Sequence, residues 1–273
     1  MGNNWITIWD NTAEARIVYV SESITRLAGW EPEDIIGREG FELFHPGDCD
    51  SLHKVHLTNV YNEKMSSMVS YRYRKKDGTY IKVETIIHYC HDVLIGSNFL
   101  YDENSLEHRA RANTVDEMFI CQPDGTLEVA GSWNNPNTKQ KPALDKNNIW
   151  KDSRLILSQE RRFCLILNRF SPDLNIVFAS KMATELVSLD VEKALGNPFF
   201  DYVKEEDVED LDSQIDVARE VNMVVRLRFD WVIDRENNIS EPVEAIVSGT
   251  DDGIIMVTRL APRMFLDAHN LKS

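Results

Sequence analysis

The sequence predicts an α+β protein built from two copies of one domain, each an antiparallel five-stranded sheet with helices on one face. Three observations predict this class. A long segment of the chain is repeated, alternating strand pairs flank Asp-Gly turns, and short helices follow the second strand of each copy.

The repeated segment covers residues 17–52, which recur at 176–211 with an offset of 159 positions and no gap. The matching positions are Ile17 and Ile176, Val18 and Val177, Ser21 and Ser180, Leu27 and Leu186, Glu33 and Glu192, Gly37 and Gly196, Asp48 and Asp207, and Leu52 and Leu211. A repeat of this length indicates two domains of ordinary size.

The first copy opens with a predicted strand pair at 5–9 and 16–20, because β-branched and aromatic residues dominate both runs. Ser21 is expected to cap a short helix that ends at Gly29. Pro32 suits the first turn of a second short helix. The first copy is thus predicted to begin with two strands followed by two short helices.

Asp48 is expected to cap a longer amphipathic helix. Two alternating strands then flank Asp77-Gly78, and a further hairpin is expected around Asp124-Gly125, since this dipeptide supplies the positive φ of tight turns. The segment at about 92–114 is predicted to be a partly helical insertion before the last strand.

The second copy repeats this order in its strands and closes with a hairpin at Asp251-Asp252-Gly253. Its predicted strands are 163–168, 175–179, 224–233, 243–248 and 254–260. The predicted organisation is a first domain at 5–131, a linker at 132–159, a second domain at 160–262 and a tail at 263–273. Two prolines and many amides and lysines favour a solvated linker.

The net charge of −15 is shared by both halves of the chain. Direct binding to nucleic acid or to an anionic membrane is therefore not expected, since both need local positive charge. No apolar run approaches the roughly 20 residues of a membrane span. The four widely spaced cysteines form no zinc motif and indicate free thiols in a reducing compartment, either cytoplasm or nucleus.

The order of elements and several motifs resemble a PAS domain. In the first copy these motifs are VYVSESITRLAGW, EPEDIIG, FHPGD and RKKDG, and in the second IVFAS, Gly196 and EAIVSGTDDGIIMVTRL. The tandem arrangement resembles fungal regulators related to white-collar proteins, whose insertion is similar to YCHDVLIGSNFLYDENSLEHRARA. The resemblance implies a non-enzymatic sensory or protein-interaction module of signalling or transcriptional regulation.

The resemblance also implies partners, namely another PAS protein or a second copy of this chain. We expect pairing through the open sheet faces, the strand at 5–9 and the segment before Arg162, because a small sheet with one uncovered face carries apolar residues that need a partner. The alternative function is a receptor for a small molecule or cofactor.

Some PAS relatives bind flavin and form a photoadduct through a cysteine. Gly40 and Phe199 stand at that position in the two copies, so no cysteinyl adduct is expected. No cofactor is expected, with non-covalent flavin or haem as alternatives; His53 and His56 are the candidate haem ligands, and surface histidines on a helix are the competing interpretation. The acidic run at 205–212 is interpreted as a helix start rather than a metal site.

A ligand between sheet and helices would contact a set of mostly apolar side chains, which in PAS relatives either fill the core or surround a ligand. The candidates are Tyr19, Ile24, Leu27, Phe41, Leu43, Phe44, Leu52 and His53. The bulk of Phe41 and Phe44 favours a filled core. No catalytic constellation and no metal motif is found, so the chain is not expected to be an enzyme.

Overall fold

The computed structural model describes residues 3–62, 64–130 and 160–262. The predicted linker at 132–159 and tail at 263–273 lie outside the described residues. The first domain contains β1 (Asn4–Asp10), β2 (Ile17–Val20), α1 (Ser23–Ala28), α2 (Pro32–Ile35), α3 (Pro46–Asn62), β3 (Ser67–Arg74), β4 (Tyr80–Tyr89), β5 (Val93–Leu100), α4 (Leu106–Thr114), β6 (Glu117–Cys121) and β7 (Leu127–Ala130).

The second domain repeats this order from its first strand to its last. It contains β8 (Phe163–Leu167), β9 (Ile176–Ala179), α5 (Met182–Val187), α6 (Val191–Ala194), α7 (Val208–Val221), β10 (Val224–Asp234), β11 (Ile239–Gly249) and β12 (Ile254–Leu260). Its sheet has the order β10-β11-β12-β8-β9, with every described pair antiparallel.

The first sheet has the order β2-β1-β5-β4-β3-β6-β7. Its first five strands match the second sheet strand for strand, so the α+β class and the repeated architecture are confirmed. The predicted count of five strands is too small for the first sheet, because β6 adds to the edge strand β3 in parallel and brings β7 with it.

The predicted insertion at about 92–114 is wrong in its first half. Val93–Leu100 forms β5, which lies between β1 and β4 in the middle of the sheet. The strand was missed because Gly96, Ser97 and Asn98 interrupt its apolar pattern, and these residue types are uncommon in strands. A Cβ atom at Gly96 would lie 2.7 Å from the Trp9 ring, so the close approach of that ring requires glycine.

Two predicted helix caps have other roles. The Ser21 hydroxyl accepts a hydrogen bond from the Ile6 N–H (2.8 Å), because β1 passes beside it. Asp48 is fully buried within the first turn of α3 and accepts bonds from the backbone and guanidinium of Arg72. The expected Asp-Gly turns are confirmed, since Gly78 and Gly125 both have φ of 85°.

Each domain has its own core between the helices and the inner face of its sheet. The outer face of each sheet, opposite its helices, packs against the outer face of the other. The expectation that these faces are open for another protein is therefore wrong for this chain, since each is covered by its neighbouring domain.

Candidate functional site

Two places in the structure are candidates for function: the interior of the first domain and the interface between the two sheets. The interior holds a cavity of about 50 Å³ between α3, the 3₁₀ turn at Gly40–Leu43 and the sheet. Its lining residues are Trp9, Ala15, Phe41, Phe44, Leu52, Val55, His56, Val69, Tyr71, Ile87, Tyr89 and Leu94.

Three of the predicted pocket residues, Phe41, Phe44 and Leu52, line this cavity. The others do not: Ile24 and Leu43 are fully buried in the core, Leu27 packs against the core, Tyr19 is half exposed on β2, and His53 stacks on the Phe41 ring at 3.7 Å. Sequence reasoning missed most of the lining, because six of the missed residues come from β1, β3, β4 and β5, whose inward register was not assigned, and the other three from α3 and the β1–β2 connection.

Trp9 is a buried core residue that lines this cavity. A Cβ atom at Gly40 would lie 2.8 Å from the Ala15 carbonyl oxygen and 3.0 Å from Nε1 of Trp9, so this position has no room for a side chain. Glycine at positions 40 and 96 lets the large indole lie across the sheet, next to the cavity of about 50 Å³.

The second domain fills the same space in the opposite way. Strand pairing makes Leu167 equivalent to Trp9, and the offset of 159 makes Phe199 equivalent to Gly40. Phe199 is fully buried and lies 6.3 Å, centroid to centroid, from Trp231. A smaller strand residue is thus paired with a larger turn residue, which conserves the packed volume.

Neither predicted haem ligand is oriented for a cofactor. The Nδ1 atom of His53 lies 2.7 Å from the Cys49 carbonyl oxygen. His56 is buried, its Nε2–H donates to the Thr12 carbonyl (3.2 Å), and its Nδ1 accepts from the Tyr89 hydroxyl (2.8 Å). Burial lowers the pKa of His56 to about 4, so its imidazole is neutral at pH 7.

The described cavity is much smaller than a flavin or a haem. Sites for drug-sized ligands usually enclose about 300–1,000 Å³, whereas this cavity has about 50 Å³. Among the described residues, no group of three or more His, Cys, Asp or Glu side chains is placed to hold a metal ion. The Nδ1 atom of His45 accepts from the Gly47 N–H (3.0 Å), so this histidine makes a local hydrogen bond.

The second candidate, hereafter the inter-domain interface, is formed by the outer faces of the two sheets. One apolar cluster joins Ile6, Ile8, Cys90 and Ile95 of the first domain to Cys164, Ile166, Ile255 and Val257 of the second. A neighbouring cluster joins Met65, Met68, Ile86, Phe99 and Val115 to Val224 and Ile246. Burial of these faces is the main favourable term for docking.

The packing at this interface is close. Gly253, in the turn between β11 and β12, lies where a Cβ atom would be 3.6 Å from Cδ1 of Ile6 in the other domain. Asn4 donates to the Asp251 carboxylate (2.5 Å) and accepts from the Asp251 N–H (2.8 Å). Arg162 of the second domain donates to the carbonyl oxygen of Tyr89 in the first domain (3.2 Å).

An approximate two-fold axis relates the two domains. The offset of 159 positions makes Ser23 equivalent to Met182. In the β5 and β12 region the strand register gives an offset of 160, which makes Asp92 equivalent to Asp252. Asp252 accepts from the Ser23 hydroxyl (2.6 Å), and Asp92 accepts from the Met182 backbone N–H. Each domain therefore places the same turn carboxylate at the start of the same helix in its neighbour, as in an isologous contact.

His88 lies close to this axis, because it contacts Ser248, its own equivalent in the second domain. Its Nε2 accepts from the Ser248 hydroxyl (3.0 Å), and its Nδ1–H donates to the Met65 carbonyl (3.0 Å). Burial lowers the pKa of His88 to about 4. The histidine is thus a neutral, fully bonded group in the middle of an apolar interface.

Helix α4 covers the rest of the outer face of the first sheet. The fully buried Glu84 carboxylate accepts from Nε of Arg111 (2.8 Å) and also pairs with His108, both on this helix. The Arg111 guanidinium lies 4.0 Å from the Phe99 ring centroid. A salt bridge between Asp116 and Arg226 continues the contact into the second domain.

The sequence did hold a signal for this interface. Strands covered on one face alternate in polarity, whereas strands covered on both faces are nearly continuous apolar runs. Phe163–Leu167 and Ile254–Val257 are such runs, and every residue in them is buried.

Comparison with known proteins agrees with the architecture. A family described as PAS fold matches residues 17–93, and a family described as PAS domain matches residues 163–258. The two matches together take in more than half of the chain, and each falls on one copy of the repeat. The resemblance of both copies to PAS domains is confirmed.

Similar proteins match over the length of about one domain. Hypoxia-inducible factor 1-alpha of Oncorhynchus mykiss is 36% identical over 75 residues, which cover 28% of this chain and 10% of that protein. The Period circadian protein of Hyalophora cecropia is 32% identical over 78 residues, which cover 29% of this chain and 22% of that protein. The chain thus spans only a small part of the length of these relatives.

Among solved structures, the PAS-B domain of Drosophila melanogaster Cycle with bound ethylene glycol is 23% identical, with a TM-score of 0.33. The match covers 36% of this chain and 99% of that one. A PAS domain of the Cronobacter turicensis quorum-sensing receptor RpfR in complex with BDSF is 18% identical, with a TM-score of 0.33, and covers 37% and 97%.

Proposed function

Because the chain carries two PAS domains in tandem, we propose that it is a non-enzymatic sensory and protein-interaction module of signal transduction or transcriptional regulation. Relatives named for hypoxia induction and for circadian period support this proposal. The finer resemblance to fungal white-collar regulators belongs to the same proposal. A cytoplasmic or nuclear location is supported by the four free cysteines.

The observation that carries the proposal is the inter-domain interface. Each PAS sheet offers an apolar outer face, and in this chain the two faces cover each other. We propose that the docked pair is the resting state, and that a signal acts by separating the domains so that another PAS protein, or a second copy of this chain, binds the exposed faces.

Docking of the two domains within one chain sets the affinity that a competing partner must exceed. Two sites joined within one chain can meet at an effective concentration on the order of millimolar. A partner sheet with similar contacts therefore competes poorly at micromolar concentration while the domains stay docked. Loosening the interface shifts this balance, which makes docking strength the natural point of control.

Light scattering on the intact chain tests this proposal. We expect the wild-type chain to be monomeric over a wide concentration range. Ile255→Asp places a charge in the interface and should produce self-association or binding to an added PAS domain, because both outer faces become exposed. Val177→Asp, on a half-exposed edge-strand residue, is the matched control. A monomeric Ile255→Asp chain that is folded and binds no PAS domain would contradict the proposal.

The second candidate function is a receptor for a small apolar ligand, and the cavity beside Trp9 favours it. The cavity suits a group of a few heavy atoms unless the indole moves, so a flavin or haem would require rearrangement of Trp9. Native mass spectrometry with an absorption spectrum tests this. Extra mass that is lost in a Val55→Trp chain supports a ligand, and bare chain mass in protein purified under native conditions argues against it.

One finding bears on membrane association. No helix among residues 3–62, 64–130 and 160–262 is long and apolar enough to cross a bilayer. The proposals that the chain binds no membrane and no nucleic acid directly rest on the net charge of −15.

A further inference from the structure

Two thiols from different domains meet inside the inter-domain interface. Cys90 follows β4 in the first domain and Cys164 lies on β8 in the second, and both are almost completely buried. They belong to one apolar cluster with Ile8 and Ile255, and Arg162, two residues before Cys164, donates to the carbonyl oxygen of Tyr89, the residue before Cys90 (3.2 Å).

The other two cysteines do not cross between the domains. Cys49 and Cys121 both belong to the first domain, and the Cys49 thiol donates to the carbonyl oxygens of Phe41 and His45. Cys90 and Cys164 share one apolar cluster at the inter-domain interface, so a disulfide between them would tie the domains together.

We propose that Cys90 and Cys164 are a redox-modification site, at which a peroxide forms a disulfide that locks the two PAS domains in their docked arrangement. The inference goes beyond the proposed function, because it depends only on the contact between the domains. Both cysteines are buried at the interface in the reduced protein, so the disulfide would fix a domain arrangement that already exists.

The reaction proceeds in two steps with hydrogen peroxide as the oxidant. The Cys90 thiolate attacks one peroxide oxygen, the O–O bond breaks, and the second oxygen leaves as water after taking a proton. The resulting sulfenic acid is attacked by the Cys164 sulfur, which forms the S–S bond and releases a second water. The two thiols lose two electrons and two hydrogens in total.

The surroundings of Cys90 set the rate. Burial raises the pKa of the Cys90 thiol, and the neighbouring Cys164 adds to this, so the resting thiol reacts slowly. The guanidinium of Arg162 acts in the opposite sense and stabilises the thiolate. It is held beside Cys90 by its bond to the Tyr89 carbonyl. Opening of the interface admits peroxide to Cys90. Renewed docking then brings the Cys164 sulfur to the sulfenic acid.

The test uses the intact wild-type chain treated with hydrogen peroxide and analysed by mass spectrometry without reductant. We expect a monomer that has lost two hydrogens, one linked peptide pair containing Cys90 and Cys164, full reversal by dithiothreitol and a higher melting temperature of the oxidised form. The Cys164→Ala chain is the matched control. It should form no link, and its Cys90 should be trapped by dimedone as the sulfenic acid.

Three outcomes overturn the inference. The first is separate oxidation of the two thiols without a link in folded protein. The second is a link between Cys90 and Cys49 or Cys121, or between two chains. The third is no reaction of either thiol in folded protein under conditions that link them after partial unfolding in urea. Loss of the proposed signalling function would leave the mass measurement unaffected, so the two proposals fail separately.

Discussion

Replacement of Ile255 by alanine probes the packing of the two domains from one side. Its side chain is fully buried and lies in the apolar cluster that contains Ile6 and Ile8 of the first domain. Ile→Ala substitutions in packed cores cost about 2–5 kcal/mol, and substitutions on an exposed surface change stability by less than about 0.5 kcal/mol. We expect a loss of about 3 kcal/mol.

Amide hydrogen exchange shows whether a substitution in the second domain also affects the first domain. Local opening of the interface should speed exchange on β1 of the first domain, although the substitution lies on β12 of the second. Urea unfolding of the same chain measures the free energy. Val177→Ala, which is half exposed on an edge strand, is the matched control and should change neither quantity.

Two results would refute this reasoning. If Ile255→Ala and Val177→Ala had the same stability within about 0.5 kcal/mol, the outer face of the second sheet would be exposed to solvent. If stability fell but exchange on β1 stayed unchanged, Ile255 would pack only within its own domain.

Three further predictions follow from buried groups. The pKa of His88 is about 4 in the folded protein against about 6.5 unfolded, so its contribution to stability is complete above pH 6.5 and falls by roughly 3 kcal/mol as the pH drops to 4. His88→Gln should reduce the slope over this range in a pH series of urea melts, while the similar contribution of His56 remains, and an unchanged slope would count against the reasoning. Glu84→Gln leaves the Arg111 guanidinium buried without its counter-charge and should cost about 3–5 kcal/mol in the same melts, whereas Glu39→Gln, in an exposed pair with Arg16, should cost little. Gly40→Cys should lower the melting temperature, because its Cβ lies 2.8 Å from the Ala15 oxygen, and should give no flavin absorption; a thermal scan with an unchanged midpoint would show that the interior has room.

Local elements were predictable because their signals are local. The offset of 159 residues located both domains, and Asp-Gly dipeptides located two hairpins whose Gly78 and Gly125 have the positive φ that such turns need. β5 was missed because Gly96, Ser97 and Asn98 serve tertiary contacts at the cost of strand propensity. Asn98, for example, donates to the Trp5 carbonyl at 3.2 Å.

The candidate sites were less predictable, because they depend on which faces meet. The sequence marked Gly40 and Phe199 as equivalent positions that lack the reactive cysteine. It could not show that Trp9 and Leu167 compensate for their different volumes, since that needs the strand register. The interface was missed because an apolar run indicates burial on both faces but does not identify the covering surface.

A double-mutant cycle between Ser23 and Asp252 tests most directly whether the two PAS sheets pack face to face within one chain. The Ser23 hydroxyl lies 2.6 Å from the Asp252 carboxylate across the inter-domain interface. Ser23→Ala, Asp252→Ala and the double variant should give a coupling energy of about 1 kcal/mol or more in urea unfolding, as for residues in direct contact. A coupling energy of zero within error would mean that the two residues do not meet, and that the domains are not docked as described.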